Sequence, residues 1–175
     1  MAPTIVVPFR KPSAKSRLPA HARGALAQAM LDDVLAACRV VGDTRLATAS
    51  GGLGPAVAAA LDTVPYGTVL IVNADLPAVT PRDLWTLLGS IPPGGLALVA
   101  AADGTTNALA LSSPSLFAPV YGPGSAERFA ALAPSRRLDL PNLADDVDTL
   151  ADLERLGERV GSHTRAALDE RRAPA

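Results

Sequence analysis

Apolar residues along the chain fall into short continuous runs and longer stretches with helical spacing. The runs Thr4–Val7, Thr68–Asn73 and Leu96–Ala101 have no alternating polar face, which predicts strands buried on both sides. From about Ala22 to Cys38, apolar positions recur at helical spacing. We predict that Pro8 ends the first strand, because proline cannot donate a ladder hydrogen bond. The alternation of strands and helices predicts a mostly parallel sheet in a three-layer α/β/α fold.

Two helix starts are marked by capping residues. Thr80, Pro81 and Asp83 occupy the N-cap, N1 and N3 positions of the best-marked helix. Ser125 is predicted to be the N-cap of a helix that runs through Ala133.

The remaining segments are less regular. Residues 40–48 predict at most one short strand, and a helix follows the glycines at 51–54. DGTTNALAL predicts a tight turn into a strand, and RRLDLPNLADDVDTLADLERL predicts a strand, an acidic turn and a helix. The charged, alanine-rich end predicts a fraying helix over 162–175, within a single domain spanning 1–175.

Composition narrows the class of protein. The chain has 175 residues, 49% of them hydrophobic and 3% aromatic, and its net charge is −1. This balance argues against a nucleic-acid surface or a polybasic membrane patch. Cys38 is the single cysteine, so an internal disulfide is excluded and a cysteine-based metal site is disfavoured. No leader or membrane-spanning segment is evident, which predicts a cytoplasmic protein, and a homodimer is one possible assembly.

Asp75 stands just past the carboxyl end of the strand predicted at Thr68–Asn73, and Pro77 follows it. Open α/β sheets form their ligand crevice at this edge. A carboxylate there, with no partner nearby in the sequence, favours a metal ligand in a nucleotide site. The alternative is an aspartate that caps a helix or stabilises a turn.

A cationic loop, RKPSAKSRLP, follows the first strand and carries Lys15 and Arg17. Since this loop leaves the crevice edge of the sheet, its cations would neutralise a polyphosphate, although a solvated basic loop has the same composition. The glycine spacing of a P-loop is missing, as is a GxGxxG fingerprint, so neither a Walker-type nor an NAD-binding site is indicated.

Two glycine-rich turns, Gly104–Asn107 and Gly122–Ser125, provide further candidates for anion binding. Glycines let the backbone approach an anion closely, and Ser125 opens a helix whose N–H groups attract phosphate or carboxylate. Structural turns use the same residue types, so both interpretations stay open.

Three aspartates, Asp145, Asp146 and Asp148, precede the helix near Thr149. Carboxylates this close repel one another unless a cation or water shields them. Asp148 is either the cap of that helix or a second metal ligand.

Together these clusters predict metal-assisted phosphate chemistry, which relies on positioning and charge neutralisation more than on acid–base groups. The chain has two histidines, His21 and His163, and both stand in polar helical contexts. We assign neither a catalytic role, and no Ser-His-Asp or Cys-His arrangement can be assembled.

Six segments together resemble a known enzyme family: IVVPFRKPSAKSRL, GGLGPAVAAAL, VNADLPAVTPRDL, DGTTNALAL, GPGSAERF and DDVDTLADLERL. They resemble the phosphoenolpyruvate or 2-phospho-L-lactate guanylyltransferases of coenzyme F-420 biosynthesis, which are grouped with the molybdenum-cofactor guanylyltransferases. The resemblance covers about Ile5 to Leu156. It implies a Rossmann-like, glycosyltransferase-A-like nucleotidyltransferase fold. It also implies transfer of GMP from GTP to phosphoenolpyruvate or 2-phospho-L-lactate, with release of pyrophosphate.

The resemblance also implies roles for individual residues. Asp75 and Asp148 would hold Mg²⁺, with Asp146 as the alternative to Asp148. Lys15 would act in catalysis. The substrate ligands are Thr106, Gly122 and Ser125 for the phospho-acid, and Lys15, Arg17, Gly52, Leu53 and Asn73 for the nucleotide.

The chain departs from the family pattern in three places. Family members carry Gly-Leu-Asn where this chain has Gly52-Leu53-Gly54, and their usual proline in the last acidic motif is Leu150 here. The stretch from Cys38 to Gly51 is short, so we expect a reduced βα unit, a lost strand and a reduced nucleotide wall. Two alternatives therefore stay open. One is a non-catalytic nucleotide-binding relic. The other is a molybdenum-cofactor nucleotidyltransferase, although the glycine-rich LAGGxSxRMG-type loop of those enzymes is absent.

Overall fold

Six strands form one sheet in a computed structural model, which describes residues 2–9, 18–48 and 51–172. The strands are β1 (Thr4–Phe9), β2 (Asp43–Thr48), β3 (Val69–Val72), β4 (Leu96–Ala100), β5 (Thr106–Leu111) and β6 (Ser135–Arg137). Their spatial order is β2-β1-β3-β5-β4-β6. Strand β5 is antiparallel to both neighbours and the other pairings are parallel, so β5 alone among these strands runs against the rest. The predicted mostly parallel α/β sheet is confirmed.

Helices cover both faces of the sheet. They are α1 (Arg23–Val41), α2 (Leu53–Leu61), α3 (Pro81–Gly89), α4 (Ser125–Ala130), α5 (Pro141–Ala144), α6 (Leu150–Leu156) and α7 (Ser162–Arg172). Among the described residues, every helix is too short or too polar to cross a lipid bilayer.

Alternate residues of the central strands pack into two hydrophobic cores, one on each face of the sheet. In β3, Leu70 and Val72 pack with residues of α1 and α3, whereas Val69 and Ile71 pack with residues of α2 and α4. All four side chains are almost fully buried, as expected for a central strand covered on both faces. This explains why the run reads as continuously apolar, without a polar alternation.

The prediction that Pro8 ends the first strand is wrong. Strand β1 continues to Phe9, which pairs with Thr48 of β2. Pairing of β1 with β3 stops at Val6, so the strand is paired on one side only at Pro8. A proline is tolerated where just one ladder continues, because the missing N–H then leaves no ladder bond unmade on the open side.

The ambiguous segment after Cys38 resolves into the end of α1 and one strand. Helix α1 continues to Val41, and β2 then forms the edge of the sheet beside β1. Gly42 joins them, and a Cβ at this position would collide with the backbone oxygen of Pro3. The single short strand predicted here is therefore present, and it is the outermost strand of this side among the described residues.

Two helices begin with a capping box. Thr80 caps α3, since its side chain accepts a hydrogen bond from the N–H of Asp83 and the Asp83 carboxylate accepts one from the N–H of Thr80. Thr149 and Asp152 form the same arrangement at α6. The capping box at Thr80 agrees with the prediction. The capping box at Thr149 shows that Thr149, and not Asp148, caps α6, so the helix-cap interpretation of Asp148 is wrong.

The predicted start and end of the helix at Ser125 are both wrong. Its N-cap is Gly124, at a φ of 70°, and the helix ends at Ala130. Ser125 is fully buried inside the first turn, and its Oγ lies 3.1 Å from Oγ1 of Thr106. The left-handed conformation of Gly124 turns the chain into the helix, so no side-chain cap is used.

The chain end predicted to fray over 162–175 is, as far as Arg172, a helix packed against α1. Asp33 of α1 is buried, and its carboxylate accepts hydrogen bonds from the N–H groups of His163 (3.0 Å) and Thr164 (2.9 Å). Gly161 allows this approach, because a Cβ there would collide with the Asp33 carboxyl group. A carboxylate at a helix N-terminus accepts hydrogen bonds from the free N–H groups and interacts favourably with the positive end of the helix dipole.

We expect Asp33→Ala to lower the free energy of unfolding by about 2 kcal/mol, because two N–H groups of α7 lose a charged acceptor in a buried setting. Urea unfolding at neutral pH measures this change. Asp32→Ala is the matched control, since Asp32 lies next in the sequence and, among the described residues, accepts an exposed side-chain hydrogen bond from Gln28 alone. The control should change stability by less than about 0.5 kcal/mol. Equal effects of the two variants would contradict the capping role.

Candidate functional site

A cleft of about 470 Å³ opens where β3 ends and β5 begins. Because β5 is antiparallel to β3, its first residues lie beside the carboxyl end of β3. The cleft is lined by Gly51, Gly52, Leu53, Gly54, Pro55, Asn73, Asp75, Asp103, Thr105, Thr106, Asn107, Pro119, Tyr121, Gly122, Asp146 and Asp148. It lies at the edge of the sheet where open α/β folds bind their ligands.

The two acidic segments meet through the backbone. The N–H of Val147 donates a hydrogen bond to the carbonyl oxygen of Asp75, with a distance of 3.0 Å. Val147 is fully buried with residues of α6 and α1, while Asp146 and Asp148 on either side of it both line the cleft. Burial of one apolar side chain thus directs two carboxylates towards Asp75.

Asp75, Asp146 and Asp148 form a cluster of three carboxylates. One oxygen from each lies within 4.8 Å of the others. Burial raises the pKa of Asp146, and the Asp75 and then the Asp148 carboxylate raise it further, against the lowering effect of a hydrogen bond from Asn107. Three carboxylate oxygens at this spacing are the donor set that hard divalent cations such as Mg²⁺ and Mn²⁺ prefer. The residues fit such a cation.

Two asparagines support the cluster. Nδ2 of Asn73 donates to the carbonyl oxygen of Thr106 (3.1 Å), which ties the end of β3 to the start of β5. Nδ2 of Asn107 donates to the carbonyl oxygen of Ala144 (3.1 Å) and lies 3.4 Å from Oδ1 of Asp146. The amide of Asn107 therefore holds one carboxylate of the cluster in place.

The residues predicted to bind the phospho-acid lie on one side of this cleft. Thr106 and Gly122 line it, and Ser125 lies directly behind Thr106 through the hydroxyl contact already described. Gly122 has a φ of 109°, a conformation that favours glycine. The structure brings the three residues together. The Ser125 side chain is fully buried and contacts Thr106 instead of lining the cleft.

The glycine-rich turn before α2 also lines the cleft, through Gly52 and Leu53. At Gly54, where the family pattern has asparagine, a Cβ would lie 2.9 Å from Cβ of Pro119. The loop around Pro119 therefore packs against the position where a longer side chain would stand. The departure at this position has a steric reason in this chain.

The predicted cations Lys15 and Arg17 lie outside the described residues. Within the described part of the lining, the charged side chains are Asp103 and the three clustered carboxylates. The carboxylate of Asp103 accepts hydrogen bonds from the N–H (2.9 Å) and the hydroxyl (2.6 Å) of Thr105, which lower the pKa of Asp103. It thereby fixes the turn that leads into Thr106.

Sequence reasoning did not assign site roles to Asn107 or Asp103, and it treated Asp146 only as an alternative to Asp148. Asn107 belongs to the turn that was singled out as a candidate for anion binding, so its position was a usable signal. Asp146 and Asp148 are separated by one residue, and two residues at that spacing can project to the same side when the residue between them is buried.

Several curated proteins that resemble this chain carry the same name. Phosphoenolpyruvate guanylyltransferase of Nocardia farcinica is 46% identical over 57% of this chain and 46% of its own length. Phosphoenolpyruvate guanylyltransferase 2 of Rhodococcus jostii is 32% identical over 94% of this chain and 89% of its own length. The first relatives, including that of Sphaerobacter thermophilus, are matched over about half of their length. The alignment with the Rhodococcus protein has 190 positions, more than the chain's 175 residues, so that relative contains segments that this chain lacks.

Solved structures show the same fold at low sequence identity, and no protein-family model matches the chain. A protein of Desulfovibrio desulfuricans assigned as a nucleotide-diphospho-sugar transferase gives a TM-score of 0.76 at 19% identity, covering 97% of this chain and 95% of that one. A cytidylyltransferase for 2-C-methyl-D-erythritol 4-phosphate from Thermus thermophilus gives 0.63 at 16% identity, covering 89% and 96%. Rv0371c of Mycobacterium tuberculosis, solved with manganese, gives 0.56 at 19% identity, covering 90% and 98%. The fold is therefore of the nucleotidyltransferase type.

We expect Asp146→Asn to raise the thermal midpoint of the protein in EDTA by roughly 2–4 °C, because it relieves repulsion among three carboxylates. Added Mg²⁺ should raise the midpoint of the wild type more than that of the variant. Differential scanning fluorimetry with and without Mg²⁺ measures both effects. An unchanged midpoint in EDTA, together with equal responses to Mg²⁺, would contradict a cation-binding cluster.

Proposed function

The chain belongs to the phosphoenolpyruvate guanylyltransferase family, and we propose that it transfers GMP from GTP to phosphoenolpyruvate or 2-phospho-L-lactate with release of pyrophosphate. The observation that carries this proposal is the cluster of Asp75, Asp146 and Asp148 in a cleft at the end of β3. Such transfer would place the protein in coenzyme F-420 biosynthesis. A cytoplasmic location and a homodimeric state stay predictions.

Asp75 and Asp148 would hold Mg²⁺, and the position of Asp146 supports it as a third ligand. When bound, the ion supplies positive charge that neutralises and aligns the triphosphate. The carboxylates would bind it, Asn107 would keep Asp146 oriented, and the buried Val147 would hold the acidic segment beside Asp75. These contacts would hold the carboxylates in place before the cation binds, and catalysis that relies on positioning charged groups requires such preorganisation.

The acceptor needs no general base, because the phosphate of the phospho-acid is already an anion when it attacks the α-phosphorus of GTP. The P–O bond to the pyrophosphate then breaks and pyrophosphate leaves with its electron pair. The placement of the histidines agrees with this mechanism. His21 and His163 are both exposed, and neither lines the cleft.

The two walls of the cleft suggest how the substrates divide it. Thr106, Gly122 and Ser125 would form the phospho-acid side, since Thr106 and Gly122 line the cleft and the hydroxyl of Ser125 lies 3.1 Å from that of Thr106. The nucleotide would lie along the glycine-rich turn before α2 and the end of β3. Its phosphates would meet the cationic loop. These nucleotide ligands are Lys15, Arg17, Gly52, Leu53 and Asn73, with Lys15 in the catalytic role.

A non-catalytic nucleotide-binding relic is the second candidate, favoured by Gly54 and by the segments that the Rhodococcus relative has and this chain lacks. Transfer of a nucleotide to a molybdopterin is the third, and the missing glycine-rich loop disfavours it. The molybdopterin enzyme and the proposed guanylyltransferase differ in the acceptor that they use. The relic differs from both because it binds nucleotide without turning it over.

We expect pyrophosphate release from GTP and Mg²⁺ when phosphoenolpyruvate or 2-phospho-L-lactate is present, and none without an acceptor. A coupled pyrophosphate assay with each phospho-acid in turn measures this. If neither acid supports release, the proposed activity is wrong. Thermal stabilisation by GTP and Mg²⁺, which approaches ~2.7 kcal/mol at a hundred times the dissociation constant, would then identify a nucleotide-binding relic.

We expect Asp75→Asn to reduce turnover more than about a hundredfold, because the cluster loses a charged metal ligand. Circular dichroism should show an unchanged fold. Asp62→Asn is the matched control, since Asp62 is exposed at the end of α2, away from the cleft. Retained activity of Asp75→Asn would refute its metal role.

We expect Ser125→Ala to weaken phospho-acid binding about tenfold and GTP binding much less, because Thr106 loses the hydroxyl behind it. Steady-state KM values for each substrate measure the difference. An equal loss for both substrates would contradict the assignment of this wall to the phospho-acid.

A further inference from the structure

Arg128 binds the backbone carbonyl groups of the loop at 120–124. Its Nε and Nη2 donate to the carbonyl oxygen of Val120 (3.2 and 2.9 Å), and Nη2 also lies 3.3 Å from the carbonyl oxygen of Tyr121. Its Nη1 donates to the carbonyl oxygen of Pro123 (2.7 Å). One guanidinium thus contacts three carbonyl groups of a single short loop, although its side chain does not line the cleft.

This loop has a conformation that needs support. Gly122 and Gly124 have φ angles of 109° and 70°, in the region that favours glycine, and glycines retain much backbone freedom unless something fixes them. Neither glycine N–H donates a hydrogen bond to another described residue. Gly122 lines the cleft, so its N–H is a donor that a ligand in the cleft can reach.

An aromatic cluster anchors the loop at its other side. The ring of Tyr121 packs edge-on against Phe129, with 5.1 Å between the ring centroids, and burial raises the pKa of the Tyr121 hydroxyl. The ring is partly buried and packs against the core that α4 shares with the sheet. The loop is therefore held by a packed ring before Gly122 and by a guanidinium behind it.

We propose that Arg128 is a positioning residue for the acceptor, which fixes the backbone at Gly122 and Gly124 so that the N–H of Gly122 meets the anionic phospho-acid. This proposal rests on the proposed function, and it assigns to Arg128 a role that acts through the loop, with no contact to substrate. The planar fork of arginine is essential to it, because lysine presents a single ammonium group that cannot span three carbonyl oxygens.

Arg128→Lys tests the proposal, with Arg137→Lys as the matched control. Arg137 is an exposed arginine at the end of β6, and its guanidinium pairs at 2.7 Å with Glu127 of α4, the helix that carries Arg128. We expect Arg128→Lys to raise the KM for phosphoenolpyruvate about tenfold, with kcat and the KM for GTP changed less than about twofold. The control should leave all three within about twofold of the wild type. Equal losses for both substrates, or none, would overturn the proposal.

Hydrogen exchange of peptides covering 119–125 gives a readout that does not depend on activity. We expect faster exchange in Arg128→Lys and in a second variant, Arg128→Ala, and no change in Arg137→Lys. If the wild type transfers no GMP, the proposed function fails, and exchange alone decides whether Arg128 holds the loop. Unchanged exchange in a folded Arg128 variant would refute the positioning role, whatever the kinetics show.

Discussion

One backbone hydrogen bond, from the N–H of Val147 to the carbonyl of Asp75, joins the two halves of the site. It places an acidic segment from late in the chain beside the end of a central strand. Val147 stabilises the junction because its side chain is fully buried, so the bond is shielded from water and cannot slip without exposing an apolar group. The carboxylates that flank Val147 repel Asp75, and that unfavourable term is tolerated because burial and the backbone bond offset it.

Because β5 is antiparallel to its neighbours, the cleft is lined by strand residues as well as by loop residues. A parallel strand in that position would bring its carboxyl end to the cleft, followed by a loop and a crossover helix. The antiparallel strand brings its first residues instead, so Thr106 and Asn107 enter the cleft from within a rigid element. Side chains on a strand are held more firmly than those on a loop, which suits chemistry that relies on positioning.

Local features of the fold were predictable, and long-range ones were not. The buried strand before Asp75 and the capping box at Thr80 depend on residues within a few positions, so the sequence reveals them directly. The cap of α7 by Asp33 joins residues 130 positions apart, and no local pattern signals it. The helix at Ser125 was misjudged because serine is a common cap, whereas here a glycine turns the chain and the serine side chain bonds a distant threonine. Within the site, Asp75 and Asp148 are the ligands predicted from the sequence, with Asp146 as the alternative to Asp148, and tertiary contacts bring Asp146 and Asn107 beside them.

The long separation between Asp75 and its acidic partners also bears on how the protein is made. During synthesis β3 emerges first, while Val147 still lies ahead in the chain. Until that segment arrives, the carbonyl of Asp75 lacks this donor and the three carboxylates are kept apart. The proposed cation site can therefore form only after the segment at 146–148 has been synthesised and has packed beside the end of β3. A cation that binds only the finished arrangement would therefore bind late in folding and stabilise a structure that is already assembled.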